Sequence, residues 1–182
     1  LEFESKKRGL DPSFSPIVGS GVGSSIPHYE PKNTKLKKGF CVIDFGVKYK
    51  GYCSDMTRTI YLGKPSKKET KIYNMLLEAQ VSTIDQVKKS KDCSALYNHT
   101  IKKLGKYSKY FTHGLGHGVG VDIHELPNLT LNSPDKIQNN MIFTIEPGIY
   151  LPNKFGIRIE DTLLFSNRTE ILTKFTKKLI AI

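Results

Sequence analysis

Four carboxylates stand where apolar segments would otherwise run on. Asp44 interrupts Phe40-Cys41-Val42-Ile43 before Phe45-Gly46, and Asp55 follows a turn on the neighbouring extended segment. Glu146 comes directly after Ile142-Phe143-Thr144-Ile145, and Glu160 lies within Gly156-Ile157-Arg158-Ile159-Glu160-Asp161. An ionised carboxylate buried without compensation costs at least several kcal/mol. Arg58 and Arg158 would neutralise two of the four at most, so the set needs a further strong positive partner, which metal cations would supply. The remaining ligand is an imidazole from His113-Gly114-Leu115-Gly116-His117-Gly118-Val119-Gly120-Val121-Asp122-Ile123-His124-Glu125, a stretch with three histidines. His117 is the best candidate, because glycines on both sides let the backbone approach closely. Hard oxygen ligands with one imidazole suit a pair of divalent ions such as Mn or Co, with Zn also compatible, better than a thiolate site would. His99 stands alone on an expected helix and reads as structural.

The elements that must position these groups are written in the hydrophobic periodicity. Phe40 to Gly46 reads as a buried strand, with Tyr49 to Leu62 its continuation after a turn near Lys50-Gly51. From about Ser66 to Lys89 the period turns helical, with Ile72, Met75, Leu76, Ala79, Ile84 and Val87 on one broad face. Ser66 and Glu69 form a capping box at its start. A second helix is expected from Asp92 to Leu104, stopped by Gly105. Met141 to Ile145 and Phe155 to Phe165 read as strands, whereas residues 11 to 39, rich in Gly, Pro and Ser, read as loop with one short strand. Gly19, Gly21 and Gly23 imitate a phosphate loop only superficially, since neither a Lys-Ser/Thr pair nor a helical pattern follows. Strands, then helices, then strands specify an α+β domain with helices on one face of a sheet.

Composition narrows the function classes. The chain has 182 residues, enough for one domain with a sizeable core, and 38% hydrophobic with 25% charged residues is ordinary for a soluble globular protein. No apolar run approaches the roughly 20 residues needed to cross a bilayer. The first ten residues, broken by Glu2, Glu4, Lys6, Lys7 and Arg8, do not read as a signal peptide. Cys41, Cys53 and Cys93 cannot all pair and match no zinc spacing, which suggests a reducing, cytoplasmic setting. Asn98, Asn128 and Asn167 begin glycosylation-type triplets that mean little without secretion. The net charge of +11 raises nucleic-acid binding, but the lysines are spread along the chain and arginine is scarce, so a nucleic-acid partner is disfavoured.

Five separated motifs carry a family resemblance: Val42 to Gly46, Ser54 to Thr59, His113 to Glu125, Thr144 to Tyr150, and Gly156 to Asp161. In this order they resemble the pita-bread metallopeptidases, which include methionine aminopeptidase, prolidase and aminopeptidase P, and the likeness runs from about Ile17 to Lys178. The resemblance implies a curved, mainly antiparallel sheet with helices on its outer face. It makes Asp44, Asp55, His117, Glu146 and Glu160 the five ligands of a dinuclear centre, with Asp55 and Glu160 as bridges. Pro27-His28-Tyr29, Glu146-Pro147-Gly148-Ile149-Tyr150 and Arg158 are similar to the proline-specific branch. The substrate is then a proline-containing peptide, cut at the Xaa-Pro bond by a hydroxide bridging the metals. Methionine aminopeptidase activity and a non-catalytic peptide-binding module are the alternatives.

By the same resemblance Glu146 is the general base, and His124 stabilises the oxyanion and shares the return of a proton to the leaving nitrogen. His28 and His113, with His124, orient the substrate. Arg158 and Asp161 hold the ligands from behind, a plain salt bridge between them being the alternative. The chain departs from the family at its start: residues 1–182 form a catalytic domain without its first helices or any N-terminal domain, Glu2 to Arg8 being the tail of one such helix. That leaves apolar sheet surface for a homodimer partner or a further N-terminal segment to cover.

Overall fold

The computed structural model describes residues 1–182. A short helix α1 (Glu2–Lys6) leads into β1 (Asp11–Pro12), β2 (Ile17–Ser20) and a 3-10 turn at Gly21–Ser25. β3 (Gly39–Asp44) is the centre of a three-stranded antiparallel sheet. It pairs β2 on one side and β6 (Thr57–Leu62) on the other, so that Asp44 faces Ile17 and Thr57 across the two ladders. An unbroken apolar run suits it, because Phe40, Cys41 and Val42 are all buried. Between β3 and β6 a hairpin of β4 (Val47–Tyr49) and β5 (Tyr52–Cys53) turns at Lys50 and Gly51, whose φ values of 49° and 88° are what a two-residue hairpin turn requires. The expected continuous strand from Tyr49 to Leu62 is therefore two strands of different sheets. β4 pairs with β5 on one side and β1 on the other, and the chain breaks at residues 54–56 before joining β3.

Helix α2 (Lys67–Gln86) starts at Ser66, whose hydroxyl accepts from the Glu69 N–H while Glu69 accepts from the Ser66 N–H: the expected capping box. Its inner face buries Ile72, Tyr73, Leu76, Ala79 and Ile84. Helix α3 (Cys93–Leu104) packs on it through Cys93, Leu96, Thr100 and Leu104, and Thr83 and Thr100 satisfy each other's hydroxyls at 2.8 Å. Gly105 ends the helix at φ 52°.

The remaining strands build a five-stranded antiparallel sheet in the order β13-β12-β9-β7-β8. Their ranges are β7 (Gly116–Gly118), β8 (Glu125–Leu129), β9 (Met141–Ile145), β12 (Asp161–Ser166) and β13 (Arg168–Ile171). β10 (Gly148–Leu151) and β11 (Phe155–Arg158) form a separate ribbon. The single strand expected over Phe155 to Phe165 is thus also split: it leaves β10 after Arg158 and joins β9 from Asp161 onward. The helices and both groups of strands share one core, in which Phe40 packs against Tyr61 and Phe155, each with ring centroids 5.0 Å away. Ladders, two long helices and a common core make the α+β class expected from the periodicity. No helix is long and apolar enough to cross a membrane, and all three cysteines are free.

Candidate metal centre

The four interrupting carboxylates sit at strand ends and breaks. Asp44 closes β3, Asp55 lies in the gap before β6, Glu146 follows β9, and Glu160 occupies the switch between β11 and β12. Asp44 is still paired at the end of its strand while the other three stand off the ladders, and all four line one cleft of about 560 Å³, where His117 of β7 meets them. The β7 backbone reaches that position because its flanks are glycines. A Cβ on Gly116 would stand 2.0 Å from the Thr144 carbonyl oxygen, and one on Gly118 2.2 Å from that of Leu126.

One side-chain ligand atom each from Asp55, His117 and Glu160 lie within 4.8 Å of one another. His117 Nε2 is 3.6 Å from Asp55 Oδ2 and 3.4 Å from Glu146 Oε1. Asp44 lines the same cleft, held by Arg158 Nη2 at 2.6 Å. Burial first, then the charges of Asp44 and Glu146, push Asp55 up to about 9. Burial pushes Glu146 up to about 7, with Asp44 adding to the rise against the pull of Arg158. Glu160 is raised well above the usual carboxylate range by burial and by Asp55, Glu146 and Asp44. Burial lowers His117. Carboxylates this close cannot all ionise unless positive charge comes among them.

The donor set fits cations. His117 Nδ1 lies 3.0 Å from the Gly118 carbonyl, which can only accept, so Nδ1 carries the proton and Nε2 presents a lone pair. That lone pair faces the oxygens of Asp55 and Glu146, and acceptors converging on acceptors need either a proton on one carboxyl or a cation between them. Asp44 Oδ1 and Asp55 Oδ1 are buried and find no hydrogen-bond partner in the protein. The residues present would suit divalent metal.

A further layer fixes the acids. Thr57 Oγ1 donates to Glu160 Oε2 at 2.6 Å and accepts from Arg158 Nε at 3.1 Å. Thr144 Oγ1 donates to Glu146 Oε1 at 3.2 Å and accepts from the His117 N–H at 3.1 Å. Arg158 Nη1 reaches the Pro27 carbonyl and the Tyr150 hydroxyl. Arg158 and Asp161 do not pair. Asp161 instead takes Arg58 Nη2 at 2.8 Å, Lys177 Nζ at 2.6 Å and Gln80 Nε2 at 2.9 Å. Arg58 also donates to the Glu160 carbonyl.

His28, His113 and His124 all border the cleft. The exposed His124 sets its ring edge-on to that of His117 at 4.3 Å between centroids. His113 donates from Nδ1 to the Gly114 carbonyl at 2.7 Å, and its Nε2 meets the Tyr150 hydroxyl at 3.0 Å. Burial, reinforced by the charge of Arg158, lowers His113 to about 4. His99, bonded to Ser82 at 2.9 Å, lies outside the cleft, as expected of a structural histidine. Sequence reasoning passed over Thr57, Thr144 and Tyr150. The first two stand two places from Asp55 and Glu146, close enough in sequence to have been weighed with them.

Fold and centre together define a class: an α+β protein whose separate antiparallel sheets converge acids and an imidazole into a cluster that could hold a metal ion. The chain belongs to metallopeptidase family M24, whose profile matches residues 1–167. It is 39% identical to the Xaa-Pro dipeptidase of Pyrococcus horikoshii over 186 residues, 99% of this chain and 53% of that protein. The crystal structure of the prolidase from Pyrococcus horikoshii OT3 superposes with a TM-score of 0.93 at 38% identity, covering 98% of this chain and 53% of that one. The Xaa-Pro dipeptidase from Bacillus anthracis gives a TM-score of 0.94 at 41% identity, covering 100% and 52%. The pita-bread fold expected from the motifs is the fold of this chain, which spans about half the length of the curated relatives it matches.

Proposed function

We propose that residues 1–182 are the catalytic domain of a dinuclear metallopeptidase that hydrolyses the peptide bond preceding proline. The observation carrying the metal half of this reading is the convergence of the His117 Nε2 lone pair with the carboxylates of Asp55, Glu146 and Glu160, beside two buried carboxylate oxygens without partners. Support for the proline half comes from relatives named Xaa-Pro dipeptidase and prolidase.

Asp44, Asp55, His117, Glu146 and Glu160 would hold two divalent ions, Mn or Co before Zn. Once bound, the ions supply Lewis acidity, making a hydroxide nucleophile available at neutral pH and polarising the scissile carbonyl. Glu146 accepts the proton of the attacking water. His124, exposed beside His117, donates a hydrogen bond to the oxyanion as it forms. The C–N bond then breaks, and proline leaves as a secondary amine that takes its proton from Glu146 or His124. His28 and His113 border the substrate's path, while Arg158, through Asp44, and Asp161, through Arg58, keep the acids in place.

The test is hydrolysis of Ala-Pro-Ala against Met-Ala-Ala with added Mn or Co, with and without a chelator. Cleavage of the proline peptide alone, abolished by chelation and restored by metal, is the expected result. Preferred cleavage of Met-Ala-Ala, or turnover indifferent to chelation, would overturn the proposal.

A further inference from the structure

The walls of the cleft bear on which end of a proline peptide the site accepts, an inference that rests on the reading above. Five carboxylates border it, Glu30, Asp44, Asp55, Glu146 and Glu160, against one permanently charged cation, Arg158. That guanidinium is committed. Nε goes to Thr57, Nη1 to Tyr150 and the Pro27 carbonyl, and Nη2 to Asp44, on a side chain only 3% exposed. His113 likewise has both ring nitrogens engaged. Even with two divalent ions in place, the five acids leave no surplus positive charge for an anion.

An Xaa-Pro dipeptide carries its free carboxylate on the residue just past the scissile bond, inside this cleft. Leaving water there without a cationic partner is unfavourable. A peptide that continues past proline offers a neutral amide at the same place. The wall beyond the acids is matched to such a group. Asn128 is the direct cross-strand partner of His117 in the β7–β8 ladder, so the two side chains share a face, and Thr130 follows it. The Asn128 N–H is taken by Asp135 Oδ2, whereas its side chain is exposed along the cleft.

We infer that Asn128 sets specificity for peptides extending beyond proline, its carboxamide receiving the amide that follows proline where a dipeptidase would need a cation for the terminal carboxylate. The experiment compares Ala-Pro, Ala-Pro-amide and Ala-Pro-Ala with the metal-loaded protein and with Asn128→Arg and Asn128→Asp. For the wild type, kcat/KM for the amide and the tripeptide should exceed that for Ala-Pro by about tenfold or more, and prolinamide should inhibit at lower concentration than proline. Asn128→Arg should close the gap, mainly by lowering KM for Ala-Pro, and Asn128→Asp should widen it. Preference for Ala-Pro in the wild type, or the same ratio in both variants, overturns the assignment while leaving Xaa-Pro hydrolysis standing. Failure to cleave any of the three overturns both.

Discussion

At the scale of single residues, the centre is defined by groups that cannot be satisfied by the protein. Removing one of them should separate holding metal from doing chemistry. Asp55→Ala deletes a carboxylate that lies against His117 and Glu160 and has one buried oxygen without a partner. It is expected to abolish hydrolysis and to lose bound metal, read by metal analysis after dialysis. Glu146→Gln keeps the shape and the hydrogen bond from Thr144 but cannot accept a proton. Its turnover should fall by at least about 100-fold, the scale of general-base contributions, with part of the metal retained. Thr57→Val removes the hydroxyl between Glu160 and Arg158. Loss of such a supporting hydrogen bond typically weakens metal affinity or activity by about 10- to 100-fold, which metal titration would detect. Wild-type turnover in Asp55→Ala would remove the proposed role of that side chain.

At the scale of elements, the site depends on strands that stop or switch partners where an acid is needed. Gly116→Ala tests this, because a methyl at 2.0 Å from the Thr144 carbonyl must push β7 away from β9, the strands that present His117 and lead into Glu146. Overpacking of this kind costs about 1–3 kcal/mol or more, so a lowered denaturation midpoint together with weakened metal binding is expected. Ser66→Ala is the contrast. It removes the hydroxyl half of the capping box and should lose about 1 kcal/mol of stability while metal affinity holds. Both helices were legible in sequence because their apolar period is local and their ends are marked by Ser66 and Gly105. The acids were legible for a similar reason: a charge inside Phe-Cys-Val-Ile or Gly-Ile-Arg-Ile is conspicuous. The breaks at residues 54–56 and 159–160 were not, since apolar alternation continues through them and the choice of ladder partner is made by distant residues. The same non-locality hid the pairing of the arginines. Arg158 is only three positions from Asp161, yet it goes to Asp44 of another strand and leaves Asp161 to Arg58 and Lys177.

At the scale of the whole molecule, the cluster ties folding to proton binding and, on the proposed reading, to metal binding. In the metal-free fold, burial and neighbouring acids raise Asp55 to about 9 and Glu146 to about 7, and Glu160 is raised as well. In the unfolded chain all three return toward ordinary carboxylate values. Between about pH 4 and pH 9 the folded state therefore binds more protons than the unfolded state, and this contribution to stability is lost as pH rises through the folded values. Divalent cations change the sign of the problem. Bound to the ionised carboxylates as proposed, they would compete with protons and favour the folded state by about 2.7 kcal/mol when present at 100 times Kd. Thermal unfolding should thus show a metal-free midpoint that declines from mildly acidic to mildly alkaline pH, and a rise on adding Mn or Co that grows with pH over the same interval. Asp55→Asn should flatten both trends, because it removes a carboxylate whose proton is held up to about pH 9. A metal-free midpoint that climbs with pH, or one unmoved by millimolar Mn and Co at alkaline pH, would mean that these acids are not held together for cations.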